Sequence, residues 1–171
     1  MKAPKTFCDK DESTVSAIIE TPKGSRSKFD FDKETGLFKL NKILPSGLIF
    51  PHHFGFIPRT KGEDGDPLDL VVITEAPVFP GNMIECRIVG VIEAMQKERD
   101  GKEERNDRFI GIPIVCRDHD HIHTLRNMEE NVITNIINFF KDYNRESGKE
   151  FTVLKLRGRR TALDLIKKQM V

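Results

Sequence analysis

For most of its length this chain places apolar residues in short stretches of period two, and helical spacing becomes prominent only in the last third. Val15 to Glu20, Lys28 to Phe31 and Leu37 to Leu40 read as strands, the last two joined by the turn-forming stretch Asp32-Lys33-Glu34-Thr35-Gly36. An aromatic-rich extended segment follows from Ile49 to Ile57, bounded by Pro51 and Pro58. Leu70 to Ile73, Met83 to Ala94, Phe109 to Val115 and Phe151 to Leu156 continue the strand series. From Glu129 to Tyr143 the pattern changes: Val132, Ile133, Ile136, Ile137 and Phe140 make one apolar helical stripe. A last helix is predicted over Thr161 to Met170, with Thr161 and Asp164 at capping-box spacing and Leu163, Ile166 and Met170 facing inward. Many strands and late helices predict an α+β fold, mainly β, with a β-barrel core and two C-terminal-half helices packed on it. An open sheet satisfies the same pattern.

Residues 1 to about 12 lack periodicity and read as a loose N-terminal segment of a single domain spanning 1–171. The mixed charge run from Gln96 to Asp107 reads as a solvated loop. A formal net charge of +1 and 8% aromatics give no footing for broad nucleic-acid binding or for anionic membranes. No apolar run approaches the roughly 20 residues that span a bilayer. Three cysteines, Cys8, Cys86 and Cys116, without C-x-x-C spacing point to reduced thiols and a cytoplasmic location.

The chemistry concentrates in Glu63-Asp64-Gly65-Asp66-Pro67-Leu68-Asp69-Leu70. Gly65 permits a backbone turn closed to other residues, so Asp64 and Asp66 can converge; Pro67 holds Asp66 in extended conformations. Asp69 stands where strand character begins. Three nearby carboxylates repel one another when ionised, and a bound hard cation or a raised pKa relieves them. A solvated acidic turn before a strand uses the same residue types. An EF-hand is excluded, because Leu68 and Asp69 occupy loop positions that need an oxygen ligand and a glycine. His52 and His53 face opposite ways in an extended chain and read as structural. Asp118-His119-Asp120-His121-Ile122-His123 resembles a metal cluster only in composition.

The motif Asp64-Gly65-Asp66-Pro67-Leu68-Asp69-Leu70 resembles the signature of soluble family I inorganic pyrophosphatases, and other segments are similar to that family in the same order. They include Ile18-Ile19-Glu20-Thr21-Pro22, Ser27-Lys28-Phe29-Asp30, Phe50 to Pro58, Val89-Gly90-Val91, Ile112-Pro113, Asp120-His121-Ile122 and Phe139 to Tyr143, so the resemblance covers roughly residues 15 to 165. It implies an OB-like five-stranded β-barrel and Mg²⁺-dependent hydrolysis of pyrophosphate to two phosphates, with Mn²⁺ as the alternative ion. Asp64 and Asp69 would ligate metal, Asp66 would sit beside the nucleophilic water as general base, and Glu20 would bind an outer metal through water. Lys28, Lys42, Arg108 and Tyr143 would hold phosphate oxygens, with Asp30 in support. The Asp-His-Ile segment would be structural, and a homo-oligomer, hexameric by resemblance, would be the assembly.

Departures from the family pattern cluster in the site. Lys42 stands where the family usually has Arg, Phe54 where it has Tyr, and Asn144 where it has Lys. The family has two further metal-binding aspartates in the 96–108 stretch: counting back from Ile112-Pro113 puts Asn106 at the second, with Asp107 one residue off, and makes Asp100 the candidate for the first. Two other functions stay open beside the leading one: a diverged enzyme acting on another phosphoanhydride or phosphate ester, and a catalytically impaired metal- or phosphate-binding protein.

Overall fold

The computed structural model describes residues 4–10 and 12–171. Nine strands and two α-helices lie within them: β1 (Thr14–Thr21), β2 (Ser27–Asp32), β3 (Leu37–Ile43), β4 (His53–Phe56), β5 (Asp69–Val72), β6 (Met83–Lys97), β7 (Glu103–Arg105), β8 (Arg108–Pro113), α1 (Glu130–Glu146), β9 (Glu150–Gly158) and α2 (Arg159–Lys168). Strand β1 pairs with both β4 and β6; β4 pairs with β5, β5 runs parallel to β8, and β8 returns to β6. The ring of five strands β1-β4-β5-β8-β6 is thereby closed, in keeping with the expected barrel. Strands β7 and β9 pair along β6, and β2 and β3 form a separate hairpin.

Two apolar clusters divide the ring's side chains by the period of the strand. In β5, Leu70 and Val72 enter the cluster that contains Val15, Ala17, Ile19, Ile88 and Phe109, whereas Val71 and the following Ile73 enter the one that contains Phe50, Phe54, Val89, Ile110 and Phe140. Both faces of the strand are covered, which is why its sequence is continuously apolar and not alternating. Helix α1 supplies Ile136, Phe139 and Phe140 to the second cluster, and α2 supplies Ala162 and Ile166 to the first. Each fully buried Ile or Phe among them stabilises the fold by about 1.5–3 kcal/mol. Gly55 marks a close approach in the ring: a Cβ there would lie 2.0 Å from the Ile18 carbonyl oxygen of β1.

Several expectations change in the structure. The run from Gln96 to Asp107 is a hairpin, with Lys97 opposite Glu103 and Gln96 opposite Glu104, because opposite charges and polar pairs facing across strands give a charged segment its own register. The aromatic segment 49–57 is strand only over His53–Phe56. Helix α2 starts at Arg159 with Gly158 at its cap position, which puts Thr161 inside the first turn, so the Thr161–Asp164 capping box does not form. Nor is the N-terminal segment wholly loose: Phe7 is buried and bridges Val15, and the Thr6 hydroxyl donates to the Pro58 carbonyl at 2.9 Å. Residues 1–3 and 11 of that segment lie outside the described residues.

Candidate active site

A cavity of about 510 Å³ opens where the ends of β1, β5, β6 and β8 meet the β2–β3 hairpin and the C-terminal end of α1. Strand register assembles its wall. Asp69 and Arg108, the first residues of β5 and β8, are ladder partners, and so are Lys28 and Lys42 in the hairpin. Among the residues expected in a site, the cavity brings together Glu20, Lys28, Asp30, Lys42, Asp64, Asp66, Asp69, Arg108 and Tyr143.

The acidic turn is built as its sequence implied. Gly65 has φ +89°, the Asp66 amide donates to Asp64 Oδ1 at 3.0 Å, and the Gly62 amide closes onto the Asp66 carbonyl at 2.7 Å. Buried Leu68 anchors the far end, its amide donating to Thr60 Oγ1 at 3.0 Å. The turn is held by main-chain amides, one of them bonded to the Asp64 carboxylate itself, and among the described residues the Asp66 carboxylate has no hydrogen bond or ion pair. Burial raises the Asp64 pKa above the ordinary carboxylate value, and Asp66 and Glu104 add like charge. At Asp69 burial dominates and pushes the pKa up to about 6, although the Arg108 guanidinium, 2.7 Å away, favours the charged form.

Cations occupy the other sides. Lys28 is 6% exposed; its ammonium donates to the Phe29 carbonyl at 2.7 Å, pairs with Asp30, and lies 3.4 Å from Glu20 Oε2. Glu20 also accepts from the Phe31 amide at 2.8 Å, but burial prevails and raises its pKa. Lys42 sits 4.2 Å from the centroid of the Tyr143 ring and donates to Ser147 Oγ at 2.8 Å. Its pKa is lowered, first by burial and then by the neighbouring cations Lys149 and Lys28. Phe54 lies beneath Lys28 and Arg108, at 5.2 and 6.0 Å, and packs on Phe50 and Phe140. Arg108 is also 4.6 Å from Phe140 and 5.3 Å from Phe151, so a planar cation lies over an apolar floor.

Two candidate ligands stand elsewhere. Asp107 is buried with its Oδ1 accepting from the Ala94 amide at 2.9 Å and from Arg105 Nε at 2.5 Å, so it ties the β6–β7 hairpin to β8 outside this cavity. Alternation along the chain turns it away from the side that Asn106 and Arg108 line. Asp100 is exposed at the hairpin tip, caps the Lys102 amide at 2.9 Å, and is also outside the cavity lining. Asn144 turns its amide back onto the Phe140 carbonyl at 2.8 Å. Sequence reasoning missed Gln96, Glu98, Glu104, Ser147 and Lys149, all of which line the cavity. For Gln96, Glu98 and Glu104 the signal was the alternation hidden in a charge run taken for a loop; Ser147 and Lys149, in the turn between α1 and β9, carried no such signal.

His53 is structural: its Nδ1 accepts from the Lys23 amide at 3.0 Å and its Nε2 faces the Ala76 carbonyl at 3.0 Å. The Asp118–His123 segment is held by Arg87, which donates to the carbonyls of His119 and Ile122. Among the described residues no three His, Cys, Asp or Glu side chains converge on one point suited to a metal ion. No helix among them is long and apolar enough to cross a membrane.

A family model described as inorganic pyrophosphatase matches residues 17–171. The inorganic pyrophosphatase of Geobacillus stearothermophilus is 34% identical over 156 residues, covering 91% of this chain and 92% of that protein. Soluble inorganic pyrophosphatase 5 of Arabidopsis thaliana is 35% identical over 138 residues; the match covers 81% of this chain and 62% of the plant protein. The crystal structure of the inorganic pyrophosphatase from Thermus thermophilus superposes with a TM-score of 0.86 at 32% identity, covering 97% of this chain and 94% of that one.

Proposed function

Because this chain belongs to the inorganic pyrophosphatase family, we propose that it hydrolyses inorganic pyrophosphate to two phosphates in the cavity described above, within a single domain. One observation carries the reading: a rigid acidic turn with an uncommitted carboxylate at Asp66 faces Lys28, Lys42 and Arg108 across a space of about 510 Å³. A phosphoanhydride needs both: charge neutralisation on its phosphoryl groups and a base beside the attacking water.

The donor set fits a hard divalent cation. Mg²⁺ keeps several waters and takes one or two carboxylates together with phosphate oxygens, so Asp64 and Asp66 would hold it without a closed protein cage, with Asp69 beside them already engaged by Arg108. Glu20, already engaged by Lys28 and the Phe31 amide, faces the same space from β1. Bound Mg²⁺, or Mn²⁺, supplies charge neutralisation and a more acidic water. Asp66 takes the proton of the attacking water. Lys28, Lys42 and Arg108 hold phosphate oxygens, the Tyr143 hydroxyl donates to one more, and Asp30 orients Lys28. The phenylalanine floor under Lys28 and Arg108 keeps bulk water out and strengthens these charges. We extend the reading to a cytoplasmic homo-oligomer, hexameric by resemblance, which the exposed apolar Met83, Ile114 and Val115 around one shallow groove support.

Phosphate release from pyrophosphate, with Mg²⁺ and then Mn²⁺, beside a panel of nucleotides and phosphate esters, tests the proposal. Fast metal-dependent release from pyrophosphate is expected. Release only from another panel member, or none at all, overturns it.

A further inference from the structure

One side of the cavity is a continuous hydrogen-bonded run. The Lys149 ammonium is 2.7 Å from Glu98 Oε2; Gln96 Nε2 donates to Glu98 Oε1 at 2.6 Å; Asn106 Nδ2 donates to Gln96 Oε1 at 3.3 Å. Arg108 Nη1 donates to Asn106 Oδ1 and continues to Asp69 Oδ2 at 2.7 Å. All six side chains line the cavity.

The run contains two cations, two carboxylates and two neutral amides, so it carries no net charge. Its donors and acceptors are matched in sequence, and each amide oxygen already accepts a hydrogen bond from within the run. Arg108 is 3% exposed, so its end of the run holds a buried guanidinium against Asp69. A divalent ion placed here would meet amides in place of carboxylates and a guanidinium at close range. Fewer ligand charges weaken a hard-cation site, and a like charge nearby weakens it further.

The acidic turn, which adjoins the run beside Asn106 and Asp69, has the reverse character. Asp64 gives one oxygen to a backbone amide, and among the described residues the Asp66 carboxylate has no partner. We infer that the run from Lys149 to Asp69 takes the place of a divalent cation in its half of the cavity, so that Mg²⁺ or Mn²⁺ binds tightly only on the Asp64–Asp66 side. The inference rests on the metal-dependent reading above, but it concerns how many ions the resting site holds and not whether pyrophosphate is cleaved. Arg108 then meets the substrate as a positive charge held in place by Asp69 and Asn106.

The test is Mn²⁺ binding to chelator-stripped protein without pyrophosphate, with free Mn²⁺ followed by electron paramagnetic resonance and heats by calorimetry. The wild type is expected to take up about one tight Mn²⁺ per chain, and Gln96→Glu combined with Asn106→Asp about two, as carboxylates replace amides. Asp66→Asn is expected to weaken or abolish the wild-type site. Two or more tight ions in the wild type, none at all, or no gain in a double variant whose circular dichroism melt matches the wild type would each overturn the inference. If the double variant does not fold, the wild-type count decides alone. Phosphate release on the same preparations separates the two proposals: two tight ions with turnover sinks this inference alone, whereas one ion without turnover sinks the hydrolase reading alone.

Discussion

Replacing Asp66 by Asn is the sharpest perturbation available, because it is expected to remove chemistry while leaving the fold alone. The carboxylate is exposed on a turn held by two bonds from main-chain amides, that of Asp66 to Asp64 Oδ1 and that of Gly62 to the Asp66 carbonyl. Neither bond involves the group being changed. An isosteric surface substitution of this kind moves stability by no more than about 0.5 kcal/mol, or roughly 1–2 °C in Tm for a chain of this size. Catalysis behaves differently. A positioned base contributes about 10²–10⁴-fold, which corresponds to about 3–5 kcal/mol of barrier. The assay is steady-state phosphate release at saturating pyrophosphate and saturating Mg²⁺, so that weaker metal binding is overcome, with a thermal melt of the same sample. A loss of two to four decades in kcat with an unchanged melt is expected. Activity within a factor of a few of the wild type would refute the role of Asp66 as base, and a melt lowered by many degrees would refute the claim that the Asp66 carboxylate takes no part in holding the turn.

Two further outcomes follow from geometry away from the chemistry. Gly55→Ala puts a methyl group 2.0 Å from the Ile18 carbonyl oxygen, a backbone atom in the β1–β4 ladder that cannot step aside, so a loss of roughly 3 kcal/mol or more is expected in urea unfolding; a loss below 1 kcal/mol would show that the ring opens locally at little cost. Burial first, and then the Lys23 charge, lower the His52 pKa from 6.5 to about 4, and its Nδ1 is buried without a partner. The folded state therefore resists the proton that the unfolded chain accepts. This contribution to stability is full above pH 6.5 and is lost as pH falls toward 4, by up to roughly 3 kcal/mol. His52→Gln should flatten that limb of stability against pH, and an unchanged slope would refute the assignment.

Much of the candidate site was legible because it is local. The turn from Asp64 to Asp69 carries its own glycine, proline and strand anchor, and the structure keeps that geometry. Lys28 and Asp30 alternate on one hairpin strand, and Tyr143 follows from the stripe of α1. The hairpin at Gln96–Asp107 was not legible in the same way. Its residues are polar on both sides, so no hydrophobic alternation announces a strand, and its register depends on pairing with the far half of β6. That pairing decides that Asn106 and Arg108 face the cavity while Asp107, one residue between them, turns to Ala94 and Arg105.

What the amino-acid sequence determined by itself was therefore the order of strands and helices, the apolar segments able to cover both faces of a sheet, and the stiff acidic turn, since each arises from bonding and sterics within a few residues. The tertiary structure alone decided that β1 closes the ring onto β6, that Asp69 and Arg108 lie side by side, and that Lys149 completes a neutral wall through Glu98, Gln96 and Asn106. Those choices rest on contacts between residues tens of positions apart, whose energies come from burial and from charge pairing in a desolvated pocket, quantities that exist only once the chain has closed.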